Sequence, residues 1–300
     1  MRIQMIGVQV RTFRAWATMR MLISLAPIAG WGQEIVWTSQ FGSASNEGAN
    51  VVSLGHDGNI YVAGGTLGTL PGQSTQGGND AFVCRYSPDG TETGTLQYGS
   101  SADDGGNGVA VDAGGNIYVS GGTSGVLPNQ TNAGGNDAFV RKYDANSQEV
   151  WTRQFGTANN DFATRIEIDP SGNPCVVGCT WGVLPDQASA GGQDIFVRKY
   201  DSDGNELWTR QFGTSDNEGT SGIAVDSAGN IYVAGGTSGV LPDQTNVGNG
   251  DAFIRKYNAA GNEVWTRQFG TSGGEGTSGV AVGPDGNVYV SGGTTGAFPV

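Results

Sequence analysis

The chain has one histidine, His56, in 300 residues, and that scarcity narrows its chemistry. A Ser-His-Asp arrangement could be built only around His56, and no nucleophile-elbow motif accompanies it. A histidine/cysteine metal cluster is excluded, and there is no phosphate-binding P-loop. Cysteine is also scarce, with three: Cys84, Cys175 and Cys179. The last two lie four apart in an expected strand, about 13 Å at the rise of extended backbone, which is too far for a disulfide. All three read as unpaired substitutions within a repeat. Charged residues make up 14% of the chain, no segment shows a helical stripe, and no apolar run is long enough to span a bilayer.

Basic residues are few and unevenly placed. Arg2, Arg11, Arg14 and Arg20 all precede the first acidic residue, Glu34. Net charge is -13 over the whole chain, and the part after residue 33 is more acidic still. Such a surface repels a phosphate backbone, so nucleic acid is not an expected partner. Residues 1–33 follow the plan of an export signal: a positive start, a short apolar stretch from Met21 to Ala29, then small residues at Ala29, Gly30 and Gly32. The expected location is secreted, periplasmic or cell surface, with no integral membrane span.

What the chain has in abundance is glycine, 53 residues, without the Gly-X-Y period of collagen. Trp-Thr-Arg-Gln-Phe-Gly begins at Trp151, Trp208 and Trp265; a weaker copy starts at Trp37 and a degenerate one at Gly94. The closing glycines Gly42, Gly99, Gly156, Gly213 and Gly270 are 57 residues apart. So are the Gly-Asn pairs beginning at Gly58, Gly115, Gly172, Gly229 and Gly286. An uninterrupted period of this length is the signature of one repeat architecture. The repeat domain is expected over 34–300, with units at about 43–99, 100–156, 157–213, 214–270 and a partial 271–300.

Within the unit 214–270, four strands are expected: a at Gly222–Asp226, b at Asn230–Thr237, c at Asp251–Tyr257 and d at Glu263–Phe269, separated by Gly/Asn/Asp turns. Strand b is apolar at successive positions from Ile231 to Ala234, so it is buried on both faces. The fold class is therefore all-β, a β-propeller of four-stranded blades, with a solenoid of stacked hairpins as the structural alternative. The tryptophans fit as wedges between blades. Four blades are complete and the fifth is partial. An N-terminal strand d at Glu34–Phe41 and C-terminal strands a and b at Gly279–Thr294 leave either a closed five-bladed ring or an open piece of a larger propeller, with Pro299 matching Pro242. The open form is expected to self-associate through exposed blade edges.

The segments Asp226–Gly239, Gly250–Tyr257 and Trp-Thr-Arg-Gln-Phe-Gly resemble bacterial SBBP-type β-propeller repeats over about residues 34 to 300. The resemblance implies a propeller fold in exported or surface proteins, mostly of unassigned function. Tyr200–Trp208 resembles the turn-to-Trp segment of quinoprotein propellers and carries no cofactor residues across.

No catalytic, cofactor-binding or metal-binding residue is assigned. Asp80, Asp137, Asp194 and Asp251 recur just before strand c; they read either as loop caps bonding backbone N–H groups or as a ring of cation-binding carboxylates. Asp201–Glu206 lacks EF-hand spacing and reads as a hairpin turn, and no stoichiometric calcium site is expected. Asn129-Gln130-Thr131 is a glycosylation sequon. Cys84 stands where Arg141, Arg198 and Arg255 stand. Repeat three departs most: Cys175 for tyrosine, Cys179 for glycine and Trp181 for serine. The expected role is a non-catalytic binding or scaffolding module with a protein or glycan partner. A propeller lyase or hydrolase with carboxylates at the central mouth, and a cation- or sugar-binding lectin-like surface, are the alternatives.

Overall fold

The computed structural model describes residues 37–298. The export signal expected at 1–33 and the position of Pro299 lie outside these residues. Blade 1 comprises β1 (Glu47–Leu54), β2 (Ile60–Thr66), β3 (Asp80–Tyr86) and β4 (Glu92–Tyr98). Blade 2 comprises β5 (Asp104–Val111), β6 (Ile117–Thr123), β7 (Asp137–Tyr143) and β8 (Glu149–Phe155). Blade 3 comprises β9 (Asp161–Ile168), β10 (Pro174–Thr180), β11 (Asp194–Tyr200) and β12 (Glu206–Phe212). Blade 4 comprises β13 (Glu218–Val225), β14 (Ile231–Thr237), β15 (Asp251–Tyr257) and β16 (Glu263–Phe269), and a two-stranded sheet of β17 (Glu275–Val282) and β18 (Val288–Thr294) follows. Each sheet is an antiparallel meander in chain order. No helix occurs among the described residues. This is the β-propeller blade arrangement.

Turn chemistry sets the strand boundaries. In blade 4, Asp226 Oδ1 accepts the N–H groups of Ala228 and Asn230, and Gly229 adopts φ +79°, a value only glycine takes without strain. The matching glycines 58, 115, 172 and 286 have φ between 75° and 83°, so the five Gly-Asn turns are equivalent.

Strand a begins four residues before its apolar run, at Glu218 rather than Gly222, because it carries a bulge. The bulge recurs in every blade and falls at Asn50, Asn107, Thr164, Ser221 and Ser278. A bulge re-aims its side chain. Here Asn50 donates to Gly106 O (3.0 Å), Asn107 donates to Ala163 O (3.1 Å), and Ser221 Oγ meets Thr277 Oγ1 (2.6 Å). These contacts lace the a strands of blades 1 and 2, of blades 2 and 3, and of blade 4 and the last sheet, whereas Thr164 turns back to Val177 O (3.1 Å) in its own blade.

The core lies between blades rather than within them. One cluster joins Tyr61, Val83 and Tyr98 of blade 1 to Val109, Val119 and Phe139 of blade 2; two more join blades 2 and 3, and blades 3 and 4. Phe82, Phe139, Phe196 and Phe253 are fully buried at the centre of each strand c.

Of the N-terminal strand d expected at Glu34–Phe41, the described residues from Trp37 on make no sheet. A strand d needs a strand c at its side, and residues 37–42 have no such edge among the described strands. They dock on blade 1 by side chains instead: Trp37 Nε1 donates to Pro88 O (3.0 Å), and Phe41 packs edge-on against Phe82. This is the slot a preceding blade's strand d would fill. The arc therefore shows two uncovered faces. Val52 is 58% exposed where Val109 is 4%, and Tyr289 is 44% exposed where Tyr232 is 4%.

Paired glycines in strand b differ in the space around them. A Cβ on Gly235 would collide with the Gly219 carbonyl and lie 2.6 Å from the Phe253 ring, whereas one on Gly236 meets nothing closer than 3.7 Å. Gly235→Ala should destabilise by on the order of 1–3 kcal/mol, and Gly236→Ala by less than about 0.5 kcal/mol. Denaturant midpoints of the two variants check this; equal losses would contradict the packing described.

Candidate functional site

Two kinds of polar feature repeat around the fan, and a few departures break the pattern. The first repeated feature is a latch on the outside. Trp151 Nε1 donates to Ser202 O (3.1 Å) and Arg153 Nε donates to Gly204 O (2.8 Å), both acceptors in the next blade's c–d turn. Trp208 and Arg210 repeat this on Ala259 O (3.3 Å) and Gly261 O (2.7 Å). Each arginine stacks on its own tryptophan. Gly204 and Gly261 have φ near +80°, and a side chain on either would strike the indole. Trp265 keeps the contact with Tyr232 and the stacking of Arg267, but no further c–d turn among the described residues receives its N–H, so it is not equivalent to Trp151 and Trp208.

The second repeated feature is acidic. Asp80, Asp137, Asp194 and Asp251 are fully buried, and each caps its own loop through Oδ2. Asp137 Oδ2 accepts from Ala133 N (2.8 Å) and Gln154 Nε2 (2.8 Å), and the other three repeat this pattern. Each faces a second acid at the start of the following blade: Asp104, Asp161, Glu218 and Glu275. Those acids accept from the N–H and hydroxyl of Ser100, Thr157, Thr214 and Thr271. Sequence reading found the first member of each pair and missed the second. The available signal was that an acid also recurs at the start of strand a, 24 residues on.

The cysteines are free and buried. Burial pushes the Cys84 and Cys175 thiols up to about 12 and raises Cys179, so none is a thiolate at neutral pH. In blades 2 and 4, Tyr118 and Tyr232 donate to the a–b turn aspartates Asp112 and Asp226. Cys175 has no hydroxyl to offer, and Lys199 takes over, forming a buried 2.7 Å ion pair with Asp169. Burial raises the Asp169 carboxyl, but hydrogen bonds from Lys199 and Asn173 and the lysine charge outweigh it and hold the carboxyl low. Trp181 is 43% exposed and packs edge-on to Phe162, which itself stands where Gly105 and Gly219 stand. His56 is exposed in its turn. Asp201 Oδ1 accepts from Asp203 N and Asn205 N, closing a hairpin turn.

Cys84 leaves a cleft on blade 1. In blade 2, Arg141 lies over the Tyr98 ring (4.9 Å), donates to Thr152 (2.7 Å) and pairs with Glu149 (3.5 Å); blades 3 and 4 repeat this. Blade 1 keeps the counterparts Phe41, Thr95 and Glu92 but lacks the arginine, and these residues line an open cleft of about 490 Å³.

Residues 207–242, running from strand d of blade 3 to the loop after strand b of blade 4, match the family model for the SBBP beta-propeller repeat. The chain resembles the SBBP-type repeat proteins. Among curated proteins, regulatory protein FlaEY of Caulobacter vibrioides is 27% identical over 224 residues, covering 68% of this chain and 22% of FlaEY. An uncharacterized WD repeat-containing protein of Acanthamoeba polyphaga mimivirus is 25% identical over 182 residues, covering 48% of this chain and 13% of that protein. The chain thus spans less than a quarter of the length of either relative. Among solved structures, a protein of unknown function from Dyadobacter fermentans has a TM-score of 0.48 at 12% identity, covering 83% of this chain and 75% of that one. The Pan2 WD40 domain of Neurospora crassa has a TM-score of 0.43 at 11% identity, covering 79% and 69%. The blade architecture rests on the strand pairing described above.

Cys84→Arg should restore the missing stack and ion pair, raising stability by ~1 kcal/mol, about 2–4 °C in melting temperature. A thermal melt that falls instead would show that the blade has repacked around the cysteine. In the wild type, all three thiols should resist an aromatic disulfide reagent at pH 8 until denaturant is added, as followed by thiolate absorbance.

Proposed function

We propose that the protein is an exported, non-catalytic binding or scaffolding module acting at the cell surface or outside the cell. The observation that carries this reading is the exposed Trp181 on blade 3, packed edge-on against the half-buried Phe162. The repeated polar groups are occupied in holding blades together, whereas Trp181 puts its indole in solvent at a position that is serine in the neighbouring blades. An exposed tryptophan is a large, rigid contact surface of the kind that anchors protein and glycan partners. A lyase or hydrolase is less well supported, because the buried thiols and lone exposed histidine supply no convergent acid, base and nucleophile. No helix among the described residues is long and apolar enough to cross a membrane.

Trp181→Ser returns the position to the serine of its sister repeats, so stability should change by less than about 0.5 kcal/mol. Capture of envelope proteins or arrayed glycans by the mature chain should nonetheless fall at least tenfold. Unchanged capture would remove Trp181 from the binding surface. The export half is checked separately: mass spectrometry of chain recovered outside the cytoplasm should find cleavage close to Ala29–Gly32, and full-length chain retained inside the cell would count against it.

A second reading concerns self-association, favoured by the two uncovered blade faces. Val52 and Leu54, 58% and 71% exposed, match Val109 and Val111 of an internal interface, and Tyr289 matches the buried Tyr232. A second copy can stack its first blade on the last sheet of the first copy, repeating an interface the chain already makes. Sedimentation should show concentration-dependent oligomers that Leu54→Lys dissolves; a single monomeric boundary for the wild type would refute this.

A further inference from the structure

The acid pairs between blades are not fully satisfied by the loops they cap. Asp80, Asp137, Asp194 and Asp251 each commit Oδ2 to their own loop, and in all four the other oxygen, Oδ1, is buried without a hydrogen-bond partner. Buried polar atoms are nearly always satisfied, so an orphan that recurs four times calls for a physical cause. Each orphan points at the second acid. A carbon placed at the Cβ position of Gly99 would lie 2.7 Å from Asp80 Oδ1 and 2.6 Å from Asp104 Oδ2, and the same two-sided crowding recurs at Gly156, Gly213 and Gly270. Glycine is required there because two carboxylate oxygens flank the space a side chain would fill.

Among the described residues no cationic side chain pairs with these acids. The four described ion pairs involve Glu149, Asp169, Glu206 and Glu263, none of them a junction acid. Burial raises the Asp104, Asp161 and Glu218 carboxyls, and the charges of Asp80, Asp137 and Asp194 push in the same direction; at the last, more open junction hydrogen bonds from Thr271 and Thr294 hold the Glu275 carboxyl low. A buried charge without a partner is costly, and a close like charge adds to the cost. Something positive therefore belongs between the two acids.

We propose that each junction binds one hard divalent cation of the calcium class, held by Asp80 with Asp104, Asp137 with Asp161, Asp194 with Glu218, and Asp251 with Glu275. Carboxylate oxygens are hard donors suited to calcium or magnesium rather than to softer metals. Among the described residues no third acid, histidine or cysteine joins a pair, so hydroxyls, carbonyls and water complete the shell. The motif is split over two blades 24 residues apart, which is why loop-spacing rules find no calcium site in the sequence. Cations placed here tie neighbouring blades together and make the arc's stability depend on metal.

The test uses the mature chain stripped with chelator and titrated with calcium. Metal analysis should approach one ion per junction, and the melting temperature should climb steadily with calcium concentration. Asp137→Asn should lose one equivalent and part of the shift, while Asp243→Asn, an exposed loop acid at φ +60° that asparagine tolerates, should lose neither. If Asp137→Asn does not fold, terbium luminescence of the wild-type chain, displaced by calcium, still decides. Absence of bound metal at millimolar calcium and magnesium would overturn the proposal. So would Asp137→Asn raising the melting temperature in chelator while calcium shifts nothing, which would assign each pair a shared proton instead.

Discussion

Most of the core in this protein is shared between blades, and the contact from one blade to the next is the constraint on which everything else rests. A four-stranded antiparallel sheet with apolar residues on both faces is unstable in water until each face is covered. Here the covering is the neighbour at each internal interface, and Phe41 on the first face of blade 1. The tryptophan and arginine of strand d reach across at the rim, the bulged residue of strand a reaches across at the inner edge, and phenylalanines fill the slab between. Glycine content follows from this arrangement. The chain must turn under an indole at Gly204, bring two strands together at Gly235, and make room for two carboxylates at Gly99.

Much of this was legible in the sequence because the repeat supplies its own controls. Strands c and d of the fourth unit were read to the residue, Asp251–Tyr257 and Glu263–Phe269, since each is bounded by turn residues and rich in aromatic and branched side chains. Strand a was read short: Glu218-Gly-Thr-Ser-Gly222 carries no apolar signal, and the bulge at Ser221 breaks the alternation that would mark it. The N-terminal strand was read from its weaker copy of the strand d motif at Trp37, whereas sheet formation requires an edge to pair with. The second acid of each junction was missed because local spacing cannot show that residues 24 apart meet after two blades stack.

The departures from the repeat fall into two physical kinds. Some are answered nearby: Cys175 removes a tyrosine hydroxyl, and Lys199 moves onto Asp169 in its place; Cys179 occupies a glycine site that in the fourth blade has space for a side chain. Others are unanswered: Cys84 leaves Glu92 without its arginine, and Trp181 puts an indole into solvent. Answered departures preserve the frame. Unanswered ones change what the surface presents, so recognition is to be sought among them rather than among the most regular residues.

The fixed distance between interacting residues along the chain carries a consequence for how such a protein changes over generations. Every latch joins residues 51 apart and every acid pair joins residues 24 apart, so loss or gain of one 57-residue unit regenerates each contact at the new seam. The identical hexapeptides beginning at Trp151, Trp208 and Trp265 mark that spacing along the chain. Lineages can thus lengthen or shorten the arc by whole blades in single genetic events, without passing through a misfolded intermediate, and inherit a new curvature and reach with the old interfaces intact.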